Sequence, residues 1–233
     1  ENEEENIKRC LSSLMDVVDE IIVVDSFSSD NTKNICSEFN LKFYERGFNG
    51  YSDQKNWAIK KAKYDIILSI DADEVLSKKL KESIANIKVE WRLNGYFCNR
   101  KTNYCGKWIY FSGWYPNRQL RLFDKKKGCW NDNLIHERVE FYKQTKIGVI
   151  KGNLLHYSFN SKKQHLEQIY KFSDLKAEML FKNGISTNIL KITFSPIIKF
   201  LSSFILKLGF LDGYYGFIIC FYSAYSKYLC HIK

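Results

Sequence analysis

Three carboxylates within four positions, Asp71-Ala72-Asp73-Glu74, close the apolar run Asp65-Ile66-Ile67-Leu68-Ser69-Ile70. No other stretch constrains the chain as much. A short, nearly continuous apolar run predicts a strand buried on both faces, as in parallel sheets. Ligands of open α/β sheets bind just beyond the carboxyl ends of such strands. Carboxylates crowded there repel one another, and a hard divalent cation offsets that cost. Mg²⁺ and Mn²⁺ take oxygen ligands and bridge to substrate phosphates. The competing reading is a strand followed by a helix with an acidic first turn, which suits the helix dipole.

The chain upstream repeats the same alternation. Ile7, Cys10, Leu11 and Leu14 make an apolar helical stripe that Asn2 or Asn6 could cap. Ile21-Ile22-Val23-Val24 reads as a buried strand ended by Asp25, and the polar turn Asp25–Thr32 caps a helix running to about Phe39. A strand at Leu41–Tyr44 and a helix at Ser52–Ala62 lead to the strand before Asp71. Alternating strands and helices predict an α/β fold with a doubly wound, mostly parallel sheet. Because no strand precedes the first helix, the first βα unit is expected to lack its strand. Asp25 and Asp71 then end two strands at one edge, and two such aspartates favour a ligand site over helix capping.

After a helix near Ser77–Ile87, residues 95–123 carry Tyr, Phe, Trp, Asn and Arg punctuated by Gly106 and Gly113, which suggests twisted antiparallel strands. Most of these aromatics suit packing against the sheet, whereas Arg118 and Arg121 are candidates to meet phosphate. Next comes Trp130-Asn131-Asp132-Asn133-Leu134-Ile135-His136-Glu137. If this loop folds back over Asp71 and Asp73, Glu137 could serve as general base, with His136 as a metal or phosphate ligand.

From Ser161 the chain turns helical. The natural cut gives a domain at 1–160 and a helical extension at 161–233. Residues 188–211 and 213–230 are rich in Phe, Ile, Leu and Tyr, with Lys191, Lys199 and Lys207 at intervals. Their uncharged runs are too short to span a bilayer, and neither a signal peptide nor eighteen consecutive apolar residues occurs. Such helices suit a membrane interface with lysines on anionic headgroups, or packing on the domain or a second subunit. The net charge of +10 favours the membrane. That excess calls for a polyanionic partner. Seven scattered cysteines without a C-x-x-C pair fit free thiols in a reducing cytoplasm rather than a disulfide framework or zinc site.

Taken together these motifs resemble a family 2 glycosyltransferase of the GT-A fold. Asn2-Glu3 resembles the Asn-Glu closing the family's first strand. Asp25–Thr32 resembles its Asp-Asp-Gly-Ser-x-Asp-x-Thr segment, with Ser26 and Phe27 in place of the second Asp and the Gly. Gln54-Lys55-Asn56 resembles the Arg/Lys-Asn opening a later helix, and Asp71–Glu74 the D-x-D motif. The later chain is similar to the subgroup building lipopolysaccharide cores, in particular the β-1,4-glucosyltransferases. Asn117–Phe123, Ile135-His136-Glu137 and the tail Leu208–Gly213 carry that likeness.

The resemblance implies a metal-dependent, inverting hexosyl transfer, with glucose the expected sugar, from a UDP-sugar to a glycolipid or lipopolysaccharide-core hydroxyl. Glu3 and Asp25 would hold the uridine with Lys55 nearby. Asp71 would meet the ribose or the metal, and Asp73 would ligate Mg²⁺ or Mn²⁺. Glu137 is the first candidate for the base and Asp132 the second. A bacterial enzyme, cytoplasmic and held peripherally at the inner face of the plasma membrane, is the expected setting. The rival readings are a nucleotidyltransferase of similar fold and an inactive membrane-associated binding protein. A nucleic-acid partner is not expected, since no zinc-finger, RRM-type or helix-turn-helix signature occurs.

Overall fold

Ile7, Cys10, Leu11 and Leu14 fall on one helical face, and all four are buried in α1 (Ile7–Leu14). This is the outcome expected of a 3.6-residue apolar period. The computed structural model describes residues 1–131, 137–182, 184 and 187–233. After α1 the chain runs through β1 (Ile22–Asp25), α2 (Thr32–Ser37), β2 (Lys42–Glu45), α3 (Tyr51–Lys61), β3 (Ile66–Leu68), β4 (Glu74–Leu76) and α4 (Lys78–Val89). It continues through β5 (Gly95–Tyr104), β6 (Lys107–Trp108), β7 (Asn117–Asp124), β8 (Gly128–Trp130), β9 (Val139–Phe141) and β10 (Ile147–Phe159). The last helices are α5 (Lys162–Lys182), α6 (Ile189–Leu201) and α7 (Gly213–Ile232), with a π-helical turn at Ser202–Leu206 and a 3₁₀ turn at Gly209–Asp212 between α6 and α7.

Two compact units result. One comprises Glu1–Arg100 with Asn117–His156, the other Lys101–Pro116 with Tyr157–Lys233. In the first, β1 and β2 pair in parallel, while β3, β7, β5, β10 and β4 line up in that order. Within this second group β3 with β7, β5 with β7, and β10 with β4 are antiparallel. The architecture is therefore α/β with mixed strand pairing, parallel for β1 with β2 and antiparallel for the other pairs named, where the local pattern suggests a mostly parallel sheet. β1 and β3 do not neighbour one another in one sheet, so Asp25 and Asp71 do not close adjacent strands. Nor is β3 buried on both faces: Ile66 is exposed at the edge of the order.

The acidic tetrapeptide also sits differently from the strand-to-helix junction that local pattern suggests. Asp71-Ala72-Asp73 is a turn between two strands, and Glu74 opens β4. The helix begins four residues later, where the Ser77 side chain accepts a hydrogen bond from Leu80 N and caps α4. Cys10, Leu14, Leu76, Leu80, Ile84 and Leu154 belong to one buried cluster behind the turn. Ser13 Oγ, accepting from Leu76 N at 3.1 Å, ties α1 to β4.

In the second unit, Tyr104, Ile109, Phe159 and Ile219 form the core. Buried Asp212 accepts from Tyr110 N (3.1 Å) and Phe111 N (2.9 Å), and its carbonyl accepts from Lys107 Nζ (2.8 Å). This fixes the 107–111 segment to the start of α7. The π turn extends α6 into a continuous helical stretch, Ile189–Leu206, of mean hydropathy 1.7 and only 6% buried. By length and composition it could cross a membrane, whereas counting uncharged runs alone suggests it could not. All seven cysteines are free thiols.

Candidate active site

Glu74 anchors the site in the first unit. It has no exposed surface and stands opposite His156 in the β4–β10 register. Arg121, buried on β7, reaches it from across the sheet: Nη2 lies 2.7 Å from Glu74 Oε1 and 2.5 Å from Asp71 Oδ2. Arg100 Nη1 is 3.7 Å from the same Glu74 oxygen. The turn itself is closed by Glu74 N donating to Asp71 O (2.9 Å) and Asp71 N donating to Glu74 Oε2 (3.0 Å).

A low-dielectric setting makes these charges depend strongly on one another. Burial opposes ionisation of Asp71, but the charges of Arg121 and Lys55 outweigh it and hold its carboxyl well below the usual range. Burial likewise opposes the Arg121 charge, yet Asp71 and Glu74 keep the guanidinium firmly protonated. Glu74 goes the other way. Burial raises its pKa, Arg121 partly counters this, and the charge of Asp71 raises it further.

Lys55, on α3, links the turn to a second part of the site. Its Nζ lies 2.9 Å from Asp71 Oδ1 and 3.5 Å from Glu137 Oε1, and sits 4.3 Å from the centre of the Trp130 ring. The neighbouring Asn56 locks that arrangement: Asn56 Nδ2 donates to Trp130 O (2.8 Å) and Trp130 N donates to Asn56 Oδ1 (3.0 Å). The Lys-Asn pair thus fixes β8 against α3 while bridging two carboxylates.

A third part is built at the amino-terminal end. Asp25 is buried, and its carboxylate accepts from Ser28 N (2.7 Å) and Ser28 Oγ (2.6 Å). That tight loop holds Phe27 at φ +62°, a left-handed conformation glycine adopts without strain. Asn2 N donates to Ser28 Oγ (2.8 Å), Glu3 N to Thr32 Oγ1 (2.9 Å) and Glu4 N to Asp30 Oδ2 (3.0 Å), so the first residues run along this loop. The Glu3 carboxylate accepts from Asn6 Nδ2 at 2.7 Å. Its pKa is raised by burial, lowered by that bond, and raised again by the charge of Asp73. Glu3 is thus tied to the Asp25 loop through its N–H on Thr32 Oγ1 and feels the charge of Asp73.

Asp73 completes the set. Its Oδ2 lies 3.1 Å from His156 Nε2. Among the described residues no lysine or arginine pairs with this carboxylate, unlike both oxygens of Asp71, and an oxygen and an imidazole nitrogen side by side could hold Mn²⁺ or a similar divalent ion. Among the described residues no group of three His, Cys, Asp or Glu side chains converges.

Glu3, Lys55, Asp71, Asp73, Arg121 and Glu137 are thus linked through short contacts or mutual charge, while Asp25 is joined to Glu3 through the loop. Arg118 is exposed on β7, opposite Asn99, and makes no ion pair with a described residue. Arg121 is engaged with carboxylates rather than open to a phosphate. Asp132 and His136 lie outside the described residues. His156, Trp130 and the structural role of Glu74 are not singled out by sequence reasoning. The signal for His156 is a lone imidazole within a long β-strand pattern, which acquires meaning only through its register with Glu74.

The model of glycosyl transferase family 2 matches residues 2–143, which contains every residue of this cluster except His156. Similar proteins include an uncharacterized glycosyltransferase of Rickettsia bellii, 30% identical over 241 positions that cover 98% of this chain and 81% of the relative. The lipopolysaccharide core biosynthesis glycosyltransferase LpsC of Rhizobium meliloti is 26% identical over 245 positions, covering 99% and 90%. Among solved structures, Staphylococcus aureus TarS 1–349 in complex with UDP aligns over 97% of this chain and 88% of that one, at 18% identity and a TM-score of 0.49. That likeness is too distant to transfer a ligand. The family match spans more than half of the chain, and the protein therefore belongs to glycosyl transferase family 2.

Proposed function

We propose that this glycosyltransferase moves a hexose from a UDP-sugar, with inversion, onto a hydroxyl of a lipopolysaccharide-core or related envelope glycolipid. The observation that carries the reading is the Lys55 bridge. It ties Asp71 of the acidic turn (2.9 Å) to Glu137 of the later loop (3.5 Å), so a candidate base faces the cluster that would receive the donor's diphosphate. The name of the LpsC relative supports the acceptor class.

In this reading Glu3 and the Asp25 loop hold the uridine, and Asp73 with His156 would hold Mg²⁺ or Mn²⁺. When bound, such an ion supplies Lewis-acid stabilisation of charge on the departing diphosphate. Inversion requires one direct displacement. The acceptor oxygen bonds to the anomeric carbon as the bond from that carbon to phosphate oxygen breaks, the acceptor proton passes to the Glu137 carboxylate, and UDP leaves with the electron pair. Lys55 and Arg121 keep Asp71 ionised and in place, and Trp130 covers Lys55 from one side.

The second unit is read as the membrane-facing part, at the inner face of the plasma membrane. Ile189, Leu190, Phe194, Ile197 and Ile198 of α6 are all exposed. Lys191 and Lys199 within the same helix favour a position in the interface rather than across it.

The test is a panel of nucleotide sugars offered with glycolipid acceptor, with and without Mn²⁺. Release of nucleoside diphosphate with one sugar supports the proposal, and release of pyrophosphate would point instead to nucleotidyl transfer.

A further inference from the structure

Three helices of the second unit each bring one lysine to an open cavity of about 280 Å³: Lys176 from α5 and Lys199 from α6, both exposed, and Lys227 from α7, half-buried. Tyr222, Ser223 and Ser226 of α7 add hydroxyl groups to its wall. On α7 these residues recur at a spacing of three to four, so one helical face presents hydroxyls and an ammonium together. No described carboxylate forms an ion pair with any of the three lysines, and the acidic residues of α5 nearest in sequence are engaged elsewhere: Glu178 with Lys182 at 2.8 Å, Asp174 with Lys233.

Desolvation lowers the pKa of Lys199, and the charges of Lys207, Lys227 and Lys176 lower it further. His231 is lowered by burial and then by Lys227, Lys191 and Lys176. Like charges gathered without a counter-ion, among hydroxyl donors, are stabilised by an anion with several acceptor oxygens.

We infer that Lys176, Lys199 and Lys227 form a binding pocket for a phosphate group. The apolar surroundings favour a phospholipid headgroup as its source. A second cavity of about 360 Å³ lies along α6 and α7, lined by Ile192, Pro196, Phe221 and Tyr228 among others, and offers space for hydrocarbon. A soluble phosphate is the other source. The inference rests on the membrane-facing reading only for the source of the phosphate, not for its chemistry.

The full chain is tested in two arms. In the first, sedimentation with phosphatidylcholine vesicles containing phosphatidylglycerol compares wild type, the triple variant Lys176→Gln, Lys199→Gln, Lys227→Gln, and a charge-matched control, Lys60→Gln, Lys78→Gln, Lys79→Gln. The expected loss is ~5-fold per pocket lysine and ~100-fold for all three, with a much smaller loss in the control. In the second arm, wild type without vesicles is acylated at amines with and without inorganic pyrophosphate, and Lys199 is read by mass spectrometry. This arm needs no variant to fold. Pyrophosphate protection of Lys199 without vesicle binding supports the pocket with a soluble source and removes the membrane reading. Equal vesicle loss in both triples, with no protection of Lys199, overturns the pocket while the membrane reading stands. Neither vesicle binding nor protection overturns both.

Discussion

Arg121 Nη2 lies 2.7 Å from Glu74 Oε1, and both side chains are almost wholly buried, at 3% and 0% exposure. An ion pair in that setting is costly to break from one side, because the remaining charge has no solvent to turn to. Arg121→Met is expected to destabilise the fold by about 3–5 kcal/mol, measured by urea unfolding. The double variant Arg121→Met, Glu74→Met should recover part of that loss, since Asp71 and Arg100 still lose a partner. A single and a double variant of equal stability would mean that the pair is not the source of the effect.

Asp71 and Asp73 are two residues apart and are expected to fail in different ways. Both oxygens of Asp71 are held, by Lys55 and Arg121, whereas Asp73 faces His156. Asp71→Asn should lower stability by about 1–3 kcal/mol through the unpaired cations. Asp73→Asn should leave stability near wild type and remove the response of transfer to Mn²⁺. Chelation should stop transfer by the wild type, with Mn²⁺ restoring it. His156→Ala should raise the Mn²⁺ concentration for half-maximal activity ~10–100-fold. Titrating Mn²⁺ against each variant checks all three.

Much of the first hundred residues is legible in the sequence because its signals are local. The apolar stripe of α1, the strand ending at Asp25 and the helix opening near Lys55 appear within a residue or two of where periodicity and capping put them. What lies between Asp71 and α4 is not legible in the same way. Glu74 looks like part of an acidic helix start, but its pairing with His156 of β10, eighty-two residues away, makes it a buried strand residue. No window of local sequence contains that partner. Arg121 suffers from the same limit, since an arginine that would meet phosphate and one that neutralises two carboxylates read alike until the sheet is assembled. The apolar character of 189–206 is plain, yet its joining into one helix depends on a π turn that no periodicity announces.

Gly216 is set for a sharp loss. A Cβ there would stand 1.9 Å from the Gly209 carbonyl oxygen, which is backbone and cannot rotate away. Gly216→Ala should cost roughly 1–3 kcal/mol or more through forced movement of α7 against the 3₁₀ turn. Thermal unfolding measures the loss, and a change of only a few tenths of a kcal/mol would mean that the two segments separate freely.

His165 makes the stability of the second unit depend on pH. It is buried, with Nδ1 3.0 Å from the Tyr104 hydroxyl, and desolvation takes its pKa from 6.5 down to about 4. Between those two values the unfolded chain binds the proton that the folded chain refuses, so stability falls as pH drops from 6.5 toward 4 and is fully present above 6.5. His165→Phe should be flatter over that window than wild type, with the difference reaching about 3 kcal/mol. Urea unfolding at several pH values provides the comparison.

The most direct test is UDP release from a UDP-hexose in the presence of glycolipid acceptor, compared between wild type and Glu137→Gln, with UDP affinity measured by calorimetry on both. The expected result is a fall of about 10²–10⁴-fold in turnover with UDP affinity unchanged. Turnover by Glu137→Gln at the wild-type rate would contradict the proposed role of Glu137 as the base.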